Sequence, residues 1–341
     1  MPTNTEILLA SRPVGAPVDA NFENRDAPMP EAGDGEVLLR LVYLSVDPYL
    51  RGRMNDVKSY IPPFEIGKPL ESGAVAQVVS SNNPQFTAGD YVAGGMKWAE
   101  HQTHSGQGLT KLDPANGPLS YALGVLGMPG MTAWAGLMIH GRPVEGETIV
   151  VSAATGAVGS LVCQLAKQKG LRVIGVAGGA EKCAYAVNEL GCDACLDHHD
   201  PDLKAKMKEA CPKGVDIYFE NVGGVTLEAT FPLMNPFSRI PVCGMISGYN
   251  ATGPYEGADR FGPIWRSILT NRISVRGFIV TDHWDRYPEF LAEVAPMLAS
   301  GQVKAKESVT EGLANAPKAF MGLLSGANFG KAVVRVGPDQ A

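Results

Sequence analysis

Cysteine is missing from the first 160 residues of this 341-residue chain; all six, Cys163, Cys183, Cys192, Cys195, Cys211 and Cys243, fall in its middle. A secreted disulfide framework would be spread differently, so these read as reduced thiols of a cytoplasmic protein. The early part of the chain therefore cannot supply a cysteine-rich metal site. No apolar run approaches the ~20 residues needed to span a bilayer. The N-terminus lacks both a basic stretch and a long apolar one, and reads as free of a signal peptide. The net charge is −6 and there is no Lys/Arg-rich run. Nucleic acid and an anionic membrane surface are thereby disfavoured as partners.

What is present is the composition of an ordinary globular protein, 45% hydrophobic and 19% charged. At ~100–200 residues per domain the length implies two domains. Residues 1–125 read as β-rich, with strand runs at 36–46, 73–80 and 90–93 punctuated by Gly and Pro, the pattern of a compact barrel-like domain. From residue 148 the pattern alternates. Strands are expected at 148–154, 171–177, 194–196, 215–220, 239–244 and 273–280, and helices at 157–169, 180–190, 202–210 and 227–234. Such alternation specifies an α/β domain with a doubly wound parallel sheet, here over 126–299. A helix at 284–299 follows, and the tail from about 300 to 341 mixes strand and helix and is expected to complete the first domain.

The first strand of the array runs into Ser152-Ala-Ala-Thr-Gly-Ala-Val-Gly159, a glycine-rich turn that opens a helix. That context matches a dinucleotide-binding loop, with Thr155, Gly156, Ala157 and Val158 around the pyrophosphate and Gly159 letting helix and strand pack closely. A fold selective for NAD carries an acid at the end of the second strand. This chain has Ala177-Gly178-Gly179-Ala180-Glu181-Lys182. Open glycine backbone and a lysine there favour the extra phosphate of NADPH over NADH. Cys192 and Cys195, followed by His198 and His199, have zinc-like spacing. Cys195 sits in a short apolar strand, however, and no metal is expected. His101 and His104 read as surface residues.

A β-rich first domain followed by AATGAVG, AGGAEK and NFGKAVVRV resembles the medium-chain dehydrogenase/reductase superfamily, over nearly the whole chain. VDPYLRGRM at 46–54, GMPGMTA at 127–133, ENVGG at 220–224, CGMISGYN at 243–250 and NFGK at 328–331 resemble its zinc-free branch of prostaglandin and alkenal double-bond reductases. CLDHH at 195–199 and ACPKGVDIY at 210–218 resemble bacterial curcumin reductases. The resemblance implies a GroES-like catalytic domain joined to a Rossmann domain, with NADPH in the cleft between them, and a homodimer. By similarity Met128, Thr132, Asn221, Tyr249, Phe278, Val280 and Asn328 would line the cofactor. Lys182 would take the 2′-phosphate. Prostaglandin reductases place a tyrosine on that phosphate where this chain has His198, which could bond it in turn, more strongly when protonated.

The implied reaction reduces a carbon–carbon double bond conjugated to a carbonyl: hydride goes to the β-carbon, charge moves to the carbonyl oxygen, and the α-carbon takes a proton. The site then needs a donor for the oxyanion and a proton source. Tyr249, in a Ser-Gly-Tyr-Asn loop after the strand at 239–244, is the first candidate; Tyr60 is the second and Tyr49 the third. Tyr49, Met54, Tyr60 and Tyr255 are expected at the substrate pocket. Ile61, Phe64, Trp98, Phe261 and Trp284 are further apolar candidates, for which core packing is an equal reading. Curcumin-like diarylheptanoids, alkenals and oxo-lipids all fit as substrates. The rival functions are a quinone reductase of the same superfamily and a non-catalytic NADPH-binding protein.

Overall fold

The computed structural model describes residues 3–253 and 261–339. Internal contacts divide the chain into two units, one of Met1–Gly124 with Glu307–Ala341 and one of Val125–Lys306.

The first unit opens with β1 (Thr3–Leu9), antiparallel to β2 (Phe22–Pro28). Then come β3 (Val37–Ser45), the single-turn helix α1 (Leu50–Arg53), β4 (Glu71–Ser81), β5 (Tyr91–Lys97), β6 (His101–His104) and β7 (Thr110–Leu112). Strand β3 shows how the two-sided core is built. Val37, Leu39 and Leu41 alternate onto one face, as a strand period of two demands. The register then shifts between Leu41 and Tyr43, so that Leu44 returns to that face while Val42 and Tyr43 enter a second cluster.

In the second unit the chain first makes α2 (Met128–Ala135), then winds through β8 (Thr148–Ser152), α3 (Gly159–Gln168), β9 (Arg172–Ala177), α4 (Ala180–Asn188) and β10 (Ala194–Asp197). It continues through α5 (Leu203–Ala210), β11 (Val215–Phe219), α6 (Gly224–Thr230), β12 (Met234–Val242), α7 (Phe261–Asn271), β13 (Ser274–Gly277) and α8 (Tyr287–Ala299). The six strands pair in parallel in the order β10-β9-β8-β11-β12-β13. This is the doubly wound dinucleotide-binding order, whose ligands sit beyond the carboxyl ends of the strands where the winding reverses, here between β8 and β11. All five residues of β8 are buried, which is why its sequence is a continuous apolar run rather than an alternating one.

The chain then re-enters the first unit with β14 (Glu307–Glu311), α9 (Ala316–Leu324) and β15 (Lys331–Arg335). β15 pairs antiparallel with β3 and parallel with β14, giving a sheet ordered β14-β15-β3-β4-β5-β7 with β6 also paired to β3.

Besides elements such as β1, β2 and α7, for which the sequence gives no separate expectation, three elements depart from it instructively. Helix α2 was not foreseen, because Pro129 and Gly130 look like breakers; proline is accommodated in the first turn, and a Cβ on Gly130 would lie 2.0 Å from the Val125 carbonyl oxygen. β12 starts at Met234 rather than 239, hidden by Pro236 and by Phe237, whose φ is +65°. The strand expected at 273–280 shortens to β13 and gives way to a 3-10 turn at Val280–Arg286.

Candidate functional site

The glycine-rich loop leaves β8 at Ser152 and turns at Ala153, which holds a left-handed φ of +49°. The Gly156 N–H donates to the Ala153 carbonyl at 2.9 Å. A Cβ on residue 159 would sit 2.2 Å from that same oxygen, so only glycine lets α3 begin where it does. At Gly156 the corresponding distance is 3.2 Å, tight but less absolute. No side chain among the described residues caps α3; the Ser160 N–H donates to the Gly156 carbonyl at 3.0 Å, and the positive end of the helix dipole faces the turn, where it favours an anion. Thr155 is buried, and Gly156, Ala157 and Val158 are half-buried along the same turn. An uncapped helix start behind a cradle that a Cβ would fill suits a pyrophosphate.

Glu220, just past β11, ties this loop to its neighbours, and the sequence reading did not single it out. It is 2% exposed. Its Oε1 accepts from the Val222 and Gly223 N–H groups at 2.7 and 2.8 Å and from the Ser152 hydroxyl at 3.1 Å. Its carbonyl accepts from the Cys243 and Gly244 N–H groups at 2.9 and 3.1 Å. The Asn221 N–H donates to Ser152 Oγ, and the Asn221 side-chain amide to the Ser152 carbonyl, each at 2.7 Å. The carboxylate thus ties the turn after β11 to the end of β8, and the backbone carbonyl of the same residue ties it to the end of β12. Its Oε2, like the hydroxyl of Tyr218, meets no hydrogen-bond partner among the described residues. Burial, and then the Glu220 charge, push the Tyr218 hydroxyl up from its usual pKa.

At the end of β9 the chain reads Ala177-Gly178-Gly179, with Gly179 at φ +86°. A Cβ on Gly178 would be 2.8 Å from Cε1 of His198, so the glycine makes room for that imidazole. His198 Nδ1 lies 3.1 Å from the Ala177 carbonyl oxygen, and the ring stands 4.0 Å from that of His199, centroid to centroid. Burial first, then His199, hold the His198 pKa below its usual value; Lys182 acts in the same direction. Burial also lowers the pKa of half-buried Lys182, against the opposing pull of Glu181. Gly178, Lys182 and His198, named from sequence for the 2′-phosphate, therefore converge.

Among the remaining expected cofactor residues of this unit, Met128 and Thr132 stand one turn apart on α2, and the Thr132 hydroxyl donates to the Met128 carbonyl at 2.7 Å. Phe278 is 8% exposed and lies against His140 and Phe219, with ring centroids 4.9 and 6.5 Å away. Val280 opens the 3-10 turn that follows. Tyr249 is half-buried and folds back over its own loop. The Met245 N–H points to its oxygen at 3.4 Å, and burial raises the pKa of the phenol. Tyr255 lies outside the described residues, and nothing is described of the Phe261 side chain.

In the first unit Tyr49 precedes α1, and Tyr60 lies in the loop beyond it, 61% exposed. Arg53 organises that loop. Its Nε donates to the Pro62 carbonyl at 3.1 Å, and its guanidinium lies 3.9 Å from the centre of the Phe64 ring. Burial, with the Asp47 charge next, pushes the Tyr49 pKa far up, and Arg53 opposes this. A cavity of about 320 Å³ opens beside these side chains, lined by Tyr49, Arg53, Ile61, Glu71, Ser72 and others. Met54 (1% exposed), Phe64 (5%) and Trp98 (1%) instead pack in the core, because the turns and loops that carry them fold their side chains onto the unit's main apolar cluster. Trp284 stacks on Tyr287 at 4.8 Å. Asn328 sits in the turn before β15, its amide donating to the Gly330 carbonyl at 2.8 Å. A feature with no local sequence signal is the buried ion pair between Asp47 and Lys331, at 2.9 Å, which joins the VDPY and NFGK segments.

Comparison with known proteins adds the following. Residues 5–112 match a family described as the N-terminal domain of oxidoreductase, and residues 157–296 one described as zinc-binding dehydrogenase. The chain is 50% identical to the NADPH-dependent curcumin reductase of Escherichia coli over 337 residues, 98% of each chain. It is 41% identical to the NADP(+)-dependent 2-alkenal reductase of Nicotiana tabacum over 341 residues, again 98% of each. The crystal structure of CurA in complex with NADPH from Vibrio vulnificus superimposes with a TM-score of 0.94 at 49% identity, covering 98% of this chain and 99% of that one.

Proposed function

The chain belongs to the zinc-independent branch of the medium-chain dehydrogenases/reductases that holds the curcumin, alkenal and prostaglandin reductases, and on that premise we propose that it reduces the conjugated double bond of enones and alkenals with NADPH. It is an oxidoreductase acting on carbon–carbon double bonds, and its cofactor is NADPH. The observation that carries the reading is the glycine cradle before an uncapped α3, next to a strand end that offers Gly178 and Lys182 where an acid would repel a 2′-phosphate.

When bound, NADPH supplies the hydride for the β-carbon. The chain's own residues have the remaining tasks. Thr155, Gly156, Ala157 and Val158 hold the pyrophosphate against the α3 dipole. Gly178, Lys182 and His198 hold the 2′-phosphate, and Met128, Thr132, Asn221, Phe278, Val280 and Asn328 confine the nicotinamide half. Tyr249 is assigned as donor to the developing oxyanion. Its oxygen faces the Met245 N–H, so its own proton is available, and its raised pKa keeps that proton in place at neutral pH. Tyr60 is the second choice, and Tyr49, Tyr60 and Tyr255 are assigned to the substrate. Losing an oxyanion donor costs about 3 kcal/mol, so Tyr249→Phe is expected to lower kcat for enones roughly 100-fold. An unchanged kcat, with a loss in Tyr60→Phe, would transfer the role.

Among the described residues no helix is long and apolar enough to cross a membrane. A cytoplasmic location is part of this reading. So is a homodimer formed along β13, one of the two edge strands of the parallel sheet among the described residues, beside exposed Trp265, Leu269 and Val275. Sedimentation would test the dimer. NADPH oxidation measured across enones, alkenals and quinones tests the activity, and oxidation by quinones alone would overturn it.

A further inference from the structure

The end of β10 holds two adjacent imidazoles whose Nδ1 atoms are both engaged. His198 Nδ1 faces the Ala177 carbonyl oxygen at 3.1 Å, an acceptor with no proton to give, so Nδ1 carries the hydrogen. His199 Nδ1 faces Asp197 Oδ1 at 3.0 Å in the same sense. A neutral His198 in that tautomer presents Nε2 as a lone pair. A lone pair cannot donate to a phosphate; it repels one. Yet His198 is the ring for which Gly178 makes room, beside Lys182.

We propose that His198 takes up a proton at Nε2 when NADPH binds, so that recognition of the 2′-phosphate, and with it the preference over NADH, is linked to proton uptake. This rests on the 2′-phosphate lying between Lys182 and His198. Nδ1–H stays on the Ala177 carbonyl, the new Nε2–H bonds a phosphate oxygen, and the proton comes from solvent buffer. The surroundings decide the sign. From α4 comes the Lys182 cation, with Glu181 behind it; from β10 comes the Asp197 carboxylate; from the loop beyond come His199 and Asp200, the latter paired with Lys206. Asp197 is already engaged by His199 and by the Gly179 N–H, so its attraction for His198 is partly spent. Without ligand, burial first and then the His199 ring, with Lys182 in the same sense, favour the neutral form of His198. A dianion delivered against Nε2 reverses that balance. NADH brings no such charge. His199, tilted against the same ring at 4.0 Å but held by Asp197, serves as the internal control.

The test is calorimetric titration of the whole protein at about pH 7.5, where a phosphate with its second pKa near ~6 is already dianionic and takes up little itself. NADPH and NADH are titrated in Tris and in Hepes, whose ionisation heats differ. The expected result is an NADPH binding enthalpy that changes with buffer and an NADH enthalpy that does not. In His198→Asn the buffer dependence of NADPH should vanish and its affinity fall by about tenfold, as for loss of a charge-assisted hydrogen bond, with NADH affinity unchanged. In His199→Asn the buffer dependence should persist. Equal NADPH enthalpies in both buffers, or a dependence that survives in His198→Asn, would overturn the proposal. The underlying placement is tested separately by Lys182→Ala. Equal losses for both cofactors would remove the phosphate from this corner, whereas a selective loss without buffer dependence would leave the placement standing and sink only the proton linkage.

Discussion

Each unit buries one carboxylate beside its proposed site residues, and the two are held by opposite means. Asp47, 6% exposed, is bound to the Lys331 ammonium at 2.9 Å and to the Ser45 hydroxyl, and the lysine in turn donates to the Val46 carbonyl. Glu220, 2% exposed, has neutral donors: two backbone N–H groups and one hydroxyl on a single oxygen. The difference follows from what each must join. Asp47 and Lys331 stand 284 residues apart in sequence, and an ion pair clamps the segment carrying Tyr49 to the one that follows Asn328. Glu220 organises a local turn, where oriented peptide dipoles suffice. A buried pair is unforgiving when half is removed, because a charge is stranded; a carboxylate held by dipoles has no counter-charge to strand.

The largest effect is therefore expected from Asp47→Asn, which keeps shape and removes charge. It leaves the Lys331 ammonium buried without its counter-ion, at a cost of about 3–5 kcal/mol. Urea unfolding followed by tryptophan fluorescence measures this. The double variant Asp47→Asn with Lys331→Met should recover much of the loss, since neither charge then remains. A double variant as unstable as the single would show that packing, not charge, matters there.

The equivalent change in the second unit should do little. Glu220→Gln keeps an oxygen for the Val222, Gly223 and Ser152 donors and puts an amide where Oε2 has no partner, so its stability should stay within about 1 kcal/mol of the parent. Glu220→Ala strips all three donors at once and should cost about 2–3 kcal/mol. It should also raise KM for NADPH more than it lowers kcat, because the turn after β11 loses its side-chain tie to Ser152 at the end of β8. The contrast between the units fails if Glu220→Gln is as damaging as Asp47→Asn.

The same contrast explains what could be read in advance. The parallel array was legible because strands buried on both faces, such as β8, are written as apolar runs between helical stretches. Gly156, Gly159 and Gly178 were legible because a requirement for a missing Cβ is a residue identity. Glu220 stays hidden within the ENVGG segment, because nothing local tells which polar residue of a loop turns inward. Asp47 and Lys331 were hidden for a different reason, since a pair 284 residues apart becomes visible only when β15 is laid beside β3. Met54, Phe64 and Trp98 show a third limit. An apolar side chain in a turn or loop is written the same way whether it lines a ligand or closes the core, and the fold decides which.

The smallest expected effect is one in which the two units should behave alike. Burial is the main cause lowering the pKa of His101 and His104 in the first unit and of His140 and His198 in the second. His140 and His283 face each other through Nε2 at 2.9 Å, an arrangement that cannot survive protonation of both. For a histidine whose folded pKa lies below the unfolded value, the unfolded chain binds more protons between the two. Stability is then flat above about pH 6.5 and is lost as pH falls from there through the folded values. The unfolding midpoint should accordingly drop between about pH 6.5 and pH 5 with the same slope in the parent and in Glu220→Gln, and less steeply in His101→Asn and in His140→Asn. A midpoint that holds constant over that range would mean that these imidazoles are not kept neutral by burial. A slope that flattened in only one of the two histidine variants would locate the acid-sensitive packing in a single unit and end the symmetry.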